Sequence, residues 1–514
     1  DNSTTDNDED KDGIEDSKEG SAVVRSFGAA PAMRIGSATK DITIGSVPGT
    51  GSGYGLIIDG TIAGNGVYKD IAGNGLEIGG QGHAVTITRG IGISGTVSAS
   101  SQNSSATAIH LGAGAFTPII HVTGKVEATG SNAMSTLAGG IVIEQGATLL
   151  TVKNAGTIKA TATGADGAAI AILDRSGTMD MVENSGTISA TGAKADSGRN
   201  VAIDLQANTT GATIRQTAVA AGVAAPSIVG NMDIADGTIT GNTVFGAGAD
   251  TLLLSGDAVY SGDVFFGSGG GTMSLSGTSQ FKGKADFGTF AGTLTIGTGT
   301  SFTGALASSG NLAIALSGGK LDLTAPAQVS SLAVTNKGVL AVTLGQAGNS
   351  TPILGVSGTA SFAADSKLAL RVTDINNAIG NHLILSAGTL TGAGNITTDT
   401  TLVPFLYKAT LSSTANLLNV ALARKTTSEL GLNRSESAVF DPVYAALSKD
   451  AKVAGAFLSI TGGDTFRDTL RQMLPDHAGG VFQAVTQGSR TFGRMLEDPT
   501  GPFKDEGRWG YWIS

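Results

Sequence analysis

The chain has no cysteine, little charge, few aromatic residues and no long apolar run. Each absence removes a class of protein. Without cysteine there are no disulfides, so 514 residues must be held together by a core. No stretch approaches ~18 consecutive apolar residues, which excludes a transmembrane helix. Positive charge is not in excess: 32 Lys and Arg stand against 42 Asp and Glu, for a net charge of −10. A chain with that balance is a poor electrostatic partner for nucleic acid, and none is expected. The sequence also lacks a G-x-S-x-G nucleophile elbow and a G-x-x-x-x-G-K-[ST] phosphate loop. Its G-x-G pieces, such as GAGAF (112–116) and GTGTS (297–301), do not open a helix after a strand, so no phosphate site is expected.

What remains is glycine, 77 of it, and short apolar runs that make 40% of the chain hydrophobic. That much apolar content in regular runs argues against disorder. With only 14% charged residues, it argues for many short strands joined by turns.

The runs repeat. Residues 251–262 (TLLLSGDAVYSG), 272–283 (TMSLSGTSQFKG) and 293–304 (TLTIGTGTSFTG) are one phrase with a 21-residue period. Leu254, Leu275 and Ile296 share one phase, Tyr260, Phe281 and Phe302 a second, Gly262, Gly283 and Gly304 a third. A helix would need apolar residues three and four apart and would not carry this much glycine. A short fixed period of strand and turn predicts a solenoid, one coil per period. Equivalent residues then stack about 4.8 Å apart, and the three rings form a column. Each buried ring contributes roughly 1.5–3 kcal/mol, which enforces the register. Internal packing is favoured for this column over a carbohydrate-stacking stripe, because its period is that of the core.

The first half uses a longer coil. IDGTIAG (58–64), ISGTVSA (93–99), VTGKVEA (122–128), NAGTIKA (154–160), NSGTISA (184–190) and ADGTITG (235–241) recur at about 30 residues, with one wider gap before the last. Within one unit GTIKATA, AAIAILD and MDMVEN give three strands separated by turns. The expected fold is all-β: a right-handed parallel β-helix of three-stranded coils, followed by a short α-helical linker segment. Residues 35–400 would form about 12–17 coils, a rod on the order of 60–80 Å long. Near residue 425 charge and helix formers increase. Asp464 is placed to cap DTFRDTLRQML, and Val481, Phe482, Val485, Phe492 and Leu496 follow helical spacing.

Several phrases late in the chain resemble those of an autotransporter, the single-chain type V secretion system. VLAVTLG (339–345), ILGVSGTASFAADSKLAL (353–370) and HLILSAGTLTG (382–392) resemble the junction that closes a passenger β-helix. FLYKATLS (405–412) and LNVALARKTTSELGLN (418–433) resemble the segment after it. LPDHAGGVFQAVTQGSR (474–490) resembles the helical linker, and GRWGYWIS (507–514) the first strand of the translocator barrel. The resemblance covers roughly 330–514 by phrase and 35–330 by architecture alone. The chain is expected to divide into five parts: an acidic N-terminal segment (1–30) that is a candidate for calcium binding, a β-helix passenger (31–330), an autochaperone-like end of the β-helix (331–425), a helical linker (426–500) and the start of the barrel (501–514), the barrel itself being absent from this sequence. The resemblance further implies export, display at the cell surface and anchoring in the outer membrane through that barrel, the chain's own partner. A first residue of Asp1 places the start of the precursor upstream.

Three groups of residues are candidates for chemistry. In DNDEDKDGIEDSKE (6–19), Asp8, Asp10 and Asp12 alternate, Gly13 permits a sharp turn, the Ile14 carbonyl sits at the seventh position, and Asp16 and Glu19 follow. Calcium takes six to eight oxygens and suits this pattern. With no flanking helices the stretch looks like a thrombospondin type 3 calcium loop rather than an EF-hand. The other reading is a solvated acidic tail. The histidines at 83, 110, 121, 382 and 477 are scattered. His110 and His121 could approach one another, but no third ligand is evident and structural roles are expected. Asp174, Arg175, Asp180, Glu183, Arg199 and Asp204 are the set a polysaccharide-active enzyme would need on neighbouring coils. Solvated coil edges explain them as well, and the chain is expected not to be an enzyme. The expected function is a surface rod for adhesion or display, with a glycan or cell-surface ligand, or copies of itself, as partner. The alternatives are a structural subunit of a surface layer or filament, and a polysaccharide-active enzyme.

Overall fold

A computed structural model describes residues 22–46, 53–217, 238–345, 348, 350–399, 403–473 and 485–494. Its organising feature is the parallel ladder. One sheet holds 14 strands, from Val23–Phe27 to Thr397–Asp399, each pairing with the equivalent strand of the next coil. At about 4.8 Å per step this sheet is roughly 60 Å long. A second sheet of 10 strands runs beside it from Met33–Ile35 to Leu306–Ala307. A third closes the triangle. Its long strands face two short strands of a neighbouring coil: Ala115–Val122 pairs with both Val85–Ile87 and Ile91–Ile93. This is a parallel β-helix of three-stranded coils, as the repeats predict.

Both coil types share one column of inward side chains on the first sheet. Ile62, Val97, Val126, Ile158 and Ile188 run along it, and beyond the backbone of Ile239, in register with both, come Tyr260, Phe281 and Phe302 and then Leu321, Leu340 and Leu368. These side chains are all buried. The rings stack with centroids 5.1 and 4.8 Å apart. The Tyr260 hydroxyl, which could not be left unpaired in the core, donates to Thr243 Oγ1 at 2.8 Å. A second stack was not foreseen: Phe245, Phe266 and Phe287, with centroids 5.2 and 4.9 Å apart.

Glycine is required where coils touch through backbone. A Cβ on Gly283 would lie 1.9 Å from the Gly262 carbonyl oxygen, and one on Gly304 would lie 1.6 Å from that of Gly283. No side chain fits there. In the long coils a buried amide ladder plays a comparable part. Asn154 Nδ2 donates to Asn184 Oδ1 at 2.7 Å, and Asn184 Nδ2 to the Gly186 carbonyl at 3.1 Å.

The two ends differ. At the C-terminal end, Gly380–Thr391 turns the third sheet antiparallel, pairing with Leu417–Arg424, which pairs with Tyr407–Ser413. Three helices follow: α1 (Arg434–Leu447), α2 (Ala451–Leu458) and α3 (Gly463–Gln472). Asn433 and Glu436 form a capping box on α1, as Asn-x-x-Glu allows. Asp464 does not cap α3. Gly462 takes that position, and Asp464 sits in the first turn, where its carboxylate pairs with Arg467 and meets the helix dipole. Phe440, Phe457, Phe466 and Leu470 pack into the same core as the coils. Residues 485–494 are helical too, with Val485 and Phe492 exposed. Among the described residues, no helix is long and apolar enough to cross a membrane.

Candidate functional site

The calcium-loop residues Asp8, Asp10, Asp12, Ile14, Asp16 and Glu19 lie outside the described residues, as do His477 and the barrel-like phrase 507–514. The wide gap before residue 238 falls on 218–237, also outside them.

The histidines do not converge. His110 is on a second-sheet strand (Ala106–Leu111) and His121 on a third-sheet strand (Ala115–Val122). His110 Nε2 lies 3.6 Å from Glu144 Oε1, while His121 Nδ1 pairs with the Tyr54 hydroxyl at 2.9 Å. Burial, with Lys153 next to it in the ladder, pushes the His121 ring down to about 4, so it is neutral at ordinary pH. His83 pairs with Asp41 at 3.0 Å, and His382 is buried with Nε2 2.8 Å from the Ala378 carbonyl. Among the described residues no group of three or more His, Asp or Glu is placed to hold a metal ion.

The carboxylate and arginine set is dispersed as well. Asp174 is fully used inside its own turn: Oδ1 accepts from Ser176 N, Ser176 Oγ and Gly177 N, and Oδ2 from Met179 N at 3.0 Å. Asp180 is exposed. Glu183 stands on the third sheet between Lys153 and Arg215, in a ladder of alternating sign. Arg199 is bound to the Gly167 and Ala165 carbonyls, with Asp166 3.7 Å away. Arg175 and Asp204 do come near one another. Burial pushes Asp204 up, against a hydrogen bond from Gln206 N and the field of Arg175. Arg175 Nη1, however, is 2.7 Å from Glu144 Oε1, which also faces His110. The result is a strip of paired charges along the second sheet and the corner after it, with Arg34–Glu77 at 3.0 Å one step up. A strip in which each charge has an opposite neighbour neutralises itself. It does not place an acid and a base around a shared substrate atom.

Asp250 was missed by sequence reasoning. It is buried at the start of strand Asp250–Ser255. Oδ1 accepts from Ala212 N at 2.8 Å and Oδ2 has no partner among the described residues. Burial outweighs that single bond and pushes the carboxyl up to about 6. One coil earlier Asn208 staples a turn of the same region, accepting from Thr210 N and Gly211 N while Nδ2 donates to the Met179 carbonyl.

The C-terminal end holds a denser cluster. The Arg424 guanidinium lies over the Phe440 and Tyr444 rings, at 5.0 and 4.8 Å, and pairs with Asp441 at 2.7 Å. Glu436 is buried and takes Arg471 Nε at 2.6 Å and Asn433 N at 2.8 Å, which hold its carboxyl down against the upward push of burial. Tyr407 and Tyr444 hydroxyls are 3.2 Å apart. Beside them is a cleft of about 410 Å³, lined by Phe405, Tyr407, Lys408 and Lys425 among others, with the Lys425 ammonium 4.0 Å from the Phe405 ring centre. These contacts lock helices onto strands; that is the chemistry of a cap.

No family model matches the chain, and no curated protein matches it. Among solved structures it is similar to the autotransporter UpaB from E. coli strain CFT073, with 16% identity and a TM-score of 0.40, over 78% of this chain and 100% of that one.

Proposed function

We propose that this chain is the non-enzymatic passenger of an autotransporter, a β-helix rod displayed at the cell surface for adhesion. The observation that carries the reading is the C-terminal cap. The parallel ladder runs without a change of direction to Thr397–Asp399, and the third sheet then turns antiparallel and is covered by helices. That change falls on the phrases that resemble a passenger junction and the segment after it. The self-neutralising charge strip and the internal use of Asp174 favour a rod that binds over one that cuts. A glycan or another cell-surface molecule is the ligand class that long polar ladders suit. The outer-membrane anchor in this reading is a barrel following the chain.

The test is display. Fused ahead of an outer-membrane translocator barrel, the chain should become accessible to protease on intact cells, and those cells should gain binding to glycan arrays or host cells. A passenger that stays in the periplasm in a folded state would contradict the reading. Calcium belongs to the same proposal through Asp8, Asp10, Asp12, Ile14, Asp16 and Glu19. Titration should show saturable uptake that Asp12→Ala abolishes; no uptake at millimolar calcium leaves a solvated tail.

A further inference from the structure

Among the described residues, the cleft at the C-terminal end holds a cation without a counter-ion. Its walls are fixed by backbone: Phe405 N donates to the Ile460 carbonyl at 2.7 Å, next to Thr461, and Lys425 N to the Leu406 carbonyl at 2.9 Å. Lys425 is half-buried there, with its ammonium over the Phe405 ring. That ammonium has no hydrogen-bond or ion-pair partner among the described residues, whereas neighbouring Arg424 has Asp441 and Lys408 has Glu429. Burial pushes it down, against the field of the more distant Glu429. An ammonium offers three donors, and a desolvated cation is relieved by an anion that accepts from them. The rest of the cleft says which anion. Lys408 lines it too, but its ammonium is 2.6 Å from Glu429 Oε1, and that contact with the bond from Thr426 N holds the Glu429 carboxyl down at about 2. One positive charge is therefore left uncompensated, which suits a monoanion. A phosphate dianion would bring a second charge toward Glu429. The hydroxyls of Thr398 and Thr461 and the apolar Pro404 complete the lining, and about 410 Å³ is at the small end of ligand pockets.

We propose that this cleft binds a small hydroxylated carboxylate, the chemistry of a sugar acid, either free or as a residue of an acidic polysaccharide. The carboxylate accepts from the Lys425 ammonium, the Thr398 and Thr461 hydroxyls meet the hydroxyls of the ligand, and Pro404 borders its C–H face. With one charge-assisted contact at its centre, the affinity is in the millimolar range. The inference rests on the cleft and not on surface display. A chain that fails the display test can still bind the acid, and a chain that binds no acid can still be displayed.

Acylation of lysines by acetic anhydride, read residue by residue by mass spectrometry, tests this on the unaltered chain. Lys425 should react, and saturating D-glucuronate should slow it at least about threefold while leaving exposed Lys452 unchanged. D-glucose and inorganic phosphate should not protect it. Polygalacturonate that protects at a lower uronate concentration names the polymer as the source; equal protection names the free acid. Glu429→Gln frees Lys408, so phosphate should then protect Lys425 as well. By calorimetry, Lys425→Gln should weaken glucuronate binding at least about tenfold. Its melting temperature should not fall, since no ion pair is lost. A Lys425 that does not react without ligand means that the chain itself fills the cleft, and overturns the proposal. So does protection by glucose, protection by phosphate equal to that by glucuronate in the unaltered chain, no saturation at millimolar glucuronate, or binding that survives Lys425→Gln.

Discussion

The long coils before residue 217 and the 21-residue coils after 238 fill the same rod in different ways. In the long coils the first-sheet strand turns two or three small or aliphatic residues inward, as Ile158, Ala160 and Ala162 do. In the short coils it turns in one ring and a glycine, as Phe281 and Gly283 do. The second-sheet strand shrinks from six residues, Ala169–Asp174, to two, Ala285–Asp286. A shorter coil has fewer inward positions, and large flat rings recover the buried area that the lost positions gave up. Such rings tolerate the 4.8 Å repeat because it is close to an offset-stacking distance. Long coils need amides and alanines; short coils need rings and bare backbone.

That contrast can be broken by substitution, and the largest effect belongs to the backbone. Gly283→Ala should cost more than about 4 kcal/mol, or prevent recovery of folded chain, since its methyl has backbone above it and cannot be accommodated by a rotamer change. Urea denaturation measures this. Phe281→Ala, in the middle of its stack, should cost about 3–5 kcal/mol, whereas Ile158→Val in the same column should cost about 1 kcal/mol. Equal losses at Phe281→Ala and Ile158→Val would mean that the two coil types do not divide the core as described.

Asn184→Leu should cost about 1–3 kcal/mol, because Asn154 Nδ2 loses its nearest acceptor in a dry core. Last, Asp250→Asn should stabilise by roughly 2 kcal/mol above pH 7. The sign follows from the raised carboxyl: the folded chain holds a proton up to about pH 6, the unfolded chain only to its ordinary value near 3.8. Stability therefore falls as pH rises between those values, and melting curves across that window should flatten in the variant.

The solenoid was legible because its period is written in residues of one kind at one phase. Tyr260, Phe281 and Phe302 announce their column, and the Gly-Thr-Ile phrases announce the long coils. The second stack is written in Phe245-Gly246, Phe266-Gly267 and Phe287-Gly288 at the same 21-residue spacing. Asn154 and Asn184 opened two of the quoted phrases; that they face inward depends on strand register, which a polar residue alone does not reveal. The candidate sites were less legible. Asp174 and Asp204 look equivalent in sequence, yet one is satisfied by its own turn and the other is desolvated beside Arg175. Asp250 carried no signal, since its cost comes from a missing donor, and donors are set by the fold. The cap was visible as a change of grammar, but the contact of Glu436 with Arg471 spans 35 residues and has no local pattern.

The claim beneath all of this is that side chains one coil apart are neighbours. A pair of cysteines tests it in a chain that has none. Thr272 and Thr293 are register partners on the outer face, with hydroxyl oxygens 3.2 Å apart. Under mild oxidation Thr272→Cys with Thr293→Cys should close an intramolecular disulfide in the folded chain, and Thr272→Cys with Thr303→Cys, on the first sheet, should not. Closure of the second pair in place of the first would contradict the stacked coil.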